Sequence, residues 1–306
     1  MFLRRRLFLL ISTVILCVGF LLSSPLHNVL AESAELPVGA SIYGLVEHTG
    51  VTRDPIRVYA YRSVGWKPGN VIVVVFHGMN RNAEDYRSGW VGHADENNLL
   101  VICPEFTQAK YPGPRYYNTG NIMDNTSGNG RLQPKSSWVF PAIDRIISDI
   151  KTRTNAHESP VVVFGHSAGA QMVHRYAIFG GRTDAGLIMP ANAGWYTMPD
   201  SSVSFPYGLG RVPMSREELV SVFAKPVVVL LGEADVNRTS NLRMTPEADR
   251  QGQNRLARGK AFFETAKNKA AELGVPFNWK LVTVPGVGHQ GAKMANAAIV
   301  VINKIF

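Results

Sequence analysis

Residues 161–164 form an apolar, β-branched run that leads without a loop into Gly165-His166-Ser167-Ala168-Gly169, and an apolar segment leads straight out to residue 179. Few folds accept that pattern. A strand buried on both faces has to turn within one residue into a helix packed against its own sheet. Small residues at 165, 168 and 169 let the neighbouring chains approach. The turn strains the backbone of Ser167 and sets its hydroxyl at a helix N-terminus, where the dipole favours developing negative charge. The five-residue pattern alone is common. The strand before it and the helix after it give it meaning.

The rest of the chain repeats the alternation of strand and helix. Residues 41–47 and Ile56–Arg62 read as an antiparallel pair. Segments 71–76, 99–103, 185–189 and 227–231 have the continuous apolar character of strands covered on both faces, and 279–284 is a further strand. Val139, Phe140, Ile143, Ile146, Ile147 and Ile150 share one helical face. Residues 254–273 predict a long helix stopped by Gly274, and 292–305 a last one. Strands separated by helices imply a mostly parallel sheet with helices on both faces. Two insertions, about 107–137 and 195–225, break the rhythm and predict a small lid region. The second contains a capping box at Ser215 and Glu218. Both would leave the carboxyl ends of strands, where such sheets bind ligands.

Residues 1–31 follow a different logic. Three arginines precede an apolar run, 7–22, which is shorter than the roughly 20 residues that span a bilayer as a helix. Val29-Leu30-Ala31 then supplies small-residue cleavage chemistry. This predicts a signal peptide over 1–31 and an exported chain, periplasmic or extracellular, with one catalytic domain over 32–306. An uncleaved N-terminal anchor is the alternative and the only expected membrane contact. Without this segment the net charge falls from +9 to +6, and no dense basic run or nucleic-acid motif appears, so no nucleic-acid partner is expected. Cys103 is the only cysteine after residue 31, which excludes an intrachain disulfide there, and its apolar neighbours predict a buried core residue. Hydrophobic residues at 45% and charged residues at 18% exclude a disordered chain.

A serine hydroxyl is a weak nucleophile until a base takes its proton. The base is expected after the last strand, where His289 follows Gly286-Val287-Gly288. The imidazole needs an acid to fix its tautomer. Asp235, just after the 227–231 strand, is the candidate, with Glu233 two residues before it. An oxyanion hole would use the backbone N–H of Ala168 and that of Met79, which follows His77-Gly78 after the 71–76 strand. His77 and His166 read as shaping these turns and His174 as a core histidine. Trp195, Tyr196 and Tyr111 are candidate walls of a substrate pocket, against ordinary loop packing. No metal-ligand spacing, phosphate loop or dinucleotide motif occurs, so no cofactor is expected.

Together, Phe76-His77-Gly78-Met79, the segment Gly165 to Ala170 and Gly286 to His289 resemble the α/β-hydrolases. Within them they resemble the bacterial exported esterases grouped with poly(3-hydroxybutyrate) depolymerases and feruloyl esterases. Tyr111-Pro112-Gly113-Pro114-Arg115, the segment 191–196 and Leu231 to Asp235 are also similar to a bacterial α/β-hydrolase group. The resemblance implies the α/β-hydrolase fold and a Ser167, Asp235, His289 triad. The expected activity is hydrolysis of a small-molecule or oligomeric carboxylic ester. A serine peptidase or amidase with the same triad, and a non-catalytic binding protein on this fold, are the alternatives.

Overall fold

The computed structural model describes residues 36–127 and 129–306. The predicted signal segment, residues 1–31, with His27 and Cys17, lies outside the described residues. Eight strands run in chain order as β1 Gly39–Leu45, β2 Ile56–Arg62, β3 Ile72–Phe76, β4 Leu100–Pro104, β5 Val161–His166, β6 Leu187–Ala191, β7 Val228–Gly232 and β8 Lys280–Val284. Helices among the described residues are α1 Ala83–Gly89, α2 Val91–Asn97, α3 Gly113–Tyr117, α4 Phe140–Arg153, α5 Ala168–Phe179, α6 Arg216–Ala224, α7 Pro246–Gln251, α8 Arg255–Glu272 and α9 Gly291–Ile305.

The strands form one sheet in the order β1-β2-β4-β3-β5-β6-β7-β8. β2 is antiparallel to both β1 and β4, and every pair from β4 to β8 is parallel. The fully buried strands are those whose sequences are unbroken apolar runs, because helices cover both their faces. Side chains alternate between two cores. Val74, Phe76 and Val163 join α4, α5 and α8 on one side, while Val73, Val75 and Phe164 join Trp90 and the apolar stripe of α9 on the other. Cys103 lies buried in the second core.

The parallel strands all point their carboxyl ends the same way, which gathers the residues after β3, β5, β7 and β8 at one end of the sheet. The two insertions meet near that end. Arg211 donates to the carbonyl of Gly130 at 2.7 Å, and Lys135 pairs with Glu218 at 2.9 Å. The capping box starts α6 as the sequence predicts: Glu218 N–H donates to Ser215 Oγ, and Ser215 N–H to Glu218 Oε2.

Candidate active site

Ser167 sits between β5 and α5 with φ 57° and ψ −114°, a left-handed conformation that a side chain rarely adopts. Packing around the turn holds it there. A Cβ at Gly165 would lie 2.5 Å from the carbonyl carbon of Gly169, and one at Gly169 would fall on the carbonyl oxygen of Phe76. Ser167 N–H donates to Ala191 O at 3.0 Å, tying the turn to the end of β6.

The hydroxyl faces the predicted base. Ser167 Oγ is 2.9 Å from His289 Nε2, and His289 Nδ1 is 2.7 Å from Asp235 Oδ2. With the proton on Nδ1, the ring donates to Asp235 and accepts from Ser167. Asp235 is 2% exposed and is the acid of this row. Glu233 points elsewhere, accepting from Thr283 Oγ1 at 2.7 Å on the exposed side.

The acid and base turns are laced together. Glu233 N–H donates to Val284 O, and Ala234 N–H to Val287 O. Asn192, fully buried and left-handed at φ 53°, completes the lacing. Its Nδ2 donates to Gly288 O at 3.2 Å, and its Oδ1 accepts from Gly232 N–H at 2.8 Å. Sequence reasoning missed this residue. The available signal was an asparagine one step beyond a buried strand, where the chain must turn and where Asn tolerates a left-handed backbone.

Ala168 N–H and Met79 N–H donate to no backbone acceptor among the described residues. The loop carrying Met79 is held from below. His77 is neutral, with Nδ1 on Gly78 O at 3.0 Å and Nε2 accepting from Phe106 N–H at 3.1 Å. Burial drives its pKa down to about 3. Tyr117 stacks on it at 4.7 Å and donates to its carbonyl. Arg81 spans the carbonyls of Phe106, Tyr111 and Gly113. His166 packs its ring 4.7 Å from that of His289, with Tyr86 Oη on its Nδ1 at 3.1 Å. Burial, then His289 and Arg255, lowers His166 to about 3 as well, so it stays neutral. His174 is a satisfied core histidine, bonded to Ala170 O and Thr197 N–H.

The three aromatic residues expected at a substrate pocket are all buried. Tyr111 and Tyr196 are fully buried, and Trp195 nearly so. Tyr196 stacks on Phe262 at 4.6 Å, its backbone gripped on both sides by Gln251. Tyr111 packs on Phe106 at 4.7 Å beneath the loop of Met79. Trp195 packs against Tyr207 and takes Arg175 and Arg243 on its indole at 4.2 and 4.9 Å. Each ring is thus packed against other side chains, which keeps its apolar face from water.

No family model and no curated protein matches this chain. Solved structures do. Poly(aspartic acid) hydrolase-1 from Sphingomonas sp. KT-1 is 34% identical over 87% of this chain and 99% of its own, with a TM-score of 0.81. The poly(3-hydroxybutyrate) depolymerase from Bordetella parapertussis is 33% identical over 88% of this chain and 91% of its own, with a TM-score of 0.80. The chain belongs to the α/β-hydrolase superfamily. An S-formylglutathione hydrolase from Agrobacterium tumefaciens, 16% identical with a TM-score of 0.55, covers 89% of this α/β-hydrolase and 96% of itself and shares its fold. Among the described residues of this α/β-hydrolase, no helix is long and apolar enough to cross a membrane.

Proposed function

We propose that this protein is an exported serine hydrolase that cleaves carboxylic esters through an acyl-enzyme on Ser167. The observation that carries the reading is the unbroken row from Asp235 through His289 to Ser167, 2.7 and 2.9 Å long, ending on a positive-φ serine. In this mechanism His289 Nε2 takes the hydroxyl proton as Ser167 Oγ attacks the ester carbonyl. Asp235 holds the ring and stabilises the imidazolium that forms. The carbonyl oxygen gathers negative charge against the N–H groups of Ala168 and Met79, aided by the N-terminus of α5. His289 then gives its proton to the leaving alcohol, and water, activated by the same ring, releases the acid. Residues 1–31 act as the export signal in this reading.

A second reading is amide hydrolysis with the same triad, favoured by the 34% identity to a poly(aspartic acid) hydrolase. Matched p-nitrophenyl esters and p-nitroanilides, with poly(3-hydroxybutyrate) and poly(aspartic acid) as polymers, separate the two. Ester turnover that drops at least about 10⁴-fold in Ser167→Ala supports the first reading. Turnover of anilides or polyaspartate alone would transfer the assignment to the second. An organophosphorus probe that fails to label folded protein would instead point to a binding protein.

A further inference from the structure

The row of Asp235, His289 and Ser167 accounts for one oxygen of Asp235. The other, Oδ1, accepts no hydrogen bond among the described residues, and its neighbour is the guanidinium of Arg255, with Nη1 3.5 Å away. Both side chains are sealed from solvent, at 3% and 2% exposure. Nε and Nη1 of Arg255 have no hydrogen-bond partner among the described residues. Arg255 is the first residue of α8, capped by Asn254, whose side chain accepts Ala257 N–H at 2.9 Å. Leu256 N–H donates to Asp235 O at 3.3 Å, so the start of this helix also fixes the backbone of the acid turn. A cation in the first turn of a helix opposes the dipole, and a buried cation short of hydrogen bonds is costly. Fold stability alone gives little reason to place an arginine there.

We propose that Arg255 is a positioning residue for the charge relay, holding Asp235 as a buried carboxylate through Oδ1 and so reserving Oδ2 for His289. The inference rests on the serine-hydrolase reading above. A carboxylate buried without a counter-charge tends to take up a proton, and it would then no longer be a full acceptor for the imidazole. The other groups facing this cluster are His166 from β5, Tyr86 from α1 behind it, Tyr196 after β6, and Arg258 one turn along α8. Arg258 is paired with Asp249 at 2.9 Å.

The test compares Arg255→Gln and Arg255→Lys with wild type, each normalised to active sites titrated with an organophosphorus probe. Arg255→Gln should lower kcat per titrated site about tenfold or more with KM within about twofold. Its acid limb of kcat/KM should move, because a positive charge facing the relay has been removed. Arg255→Lys should keep kcat within about threefold of wild type and leave the limb unmoved. An Arg255→Gln protein with a lowered Tm but unchanged kcat per site and an unmoved limb would make Arg255 purely structural and overturn the proposal. Arg255→Met, which keeps the apolar stem, carries the same comparison if the glutamine variant does not fold. Wild-type protein that takes no probe would bring down the hydrolase reading itself, a result distinct from either outcome in the variants.

Discussion

Gly169 and Asn192 show how much of the site is built from residues that touch no substrate. Gly169 lies against the carbonyl of Phe76, the last residue of β3, so any side chain would push the nucleophile turn off the strand that precedes Met79. Gly169→Ala should cost about 2–4 kcal/mol by chemical denaturation and lower the fraction of sites titrated by the probe. A variant as stable and as reactive as wild type would show that this contact relaxes freely. Asn192→Ala would leave the buried N–H of Gly232 unpaired, remove one of the two hydrogen bonds to Gly288 O and place alanine in a left-handed conformation. The expected loss is about 2–4 kcal/mol. Because Asn192 ties the acid turn to the base loop, kcat should fall with it. Asn192→Gly relieves the backbone but not the two lost bonds, so it should recover part of the stability and little of the rate.

Elements were legible in proportion to their periodicity. The eight strands lie within about two residues of the expected segments, β3 to β7 as unbroken apolar runs, and α4, α5, α8 and α9 overlap the expected helices. The short helices α1, α2, α3 and α7 span two turns or fewer, too little for a pattern to emerge, and their positions are set by tertiary packing. The triad was legible because its members follow strands at fixed places in the order of this fold. The aromatic residues of the insertions were not, because a loop's composition does not say which way it folds back. Trp195 and Tyr196 are held by Arg175, Gln251 and Phe262, partners separated from them by 20 to 66 positions in the chain. At α6 the capping box was readable as a local rule. Ser215→Ala should lower stability by about 1 kcal/mol in a urea titration while turnover of whichever substrate the protein hydrolyses stays at the wild-type level. A loss of turnover larger than the loss of folded protein would mean that α6 bears on the site directly.

Across the whole molecule, buried histidines set the response to acid. His77 and His166 are held to about 3, and His174 well below its ordinary 6.5, chiefly by burial. The fold keeps all three neutral, whereas the unfolded chain protonates them near 6.5. Their contribution to stability is therefore complete above about pH 6.5 and is lost progressively as the pH falls toward 3. Asp144 acts in the opposite sense. Burial raises it to about 6, so between pH 6 and about 4 the folded state binds one proton more readily than the unfolded chain. The balance is about two protons, or roughly 2–3 kcal/mol of stability lost per pH unit in that window. Urea midpoints at pH 7, 6 and 5 should fall accordingly, and a flat series would mean that these histidines open to solvent before the fold does.

The order of the strands along the chain has a consequence in time. Ser167 stands on a central strand, and most of the sheet around it is encoded before residue 232. Its base arrives only with β8, an outermost strand, and the turn that carries His289. In a growing chain the serine turn is thus made well before the residues that place the base beside it. On the serine-hydrolase reading, Ser167 has no base until β8 and its turn are in place, so activity would coincide with the completion of the fold.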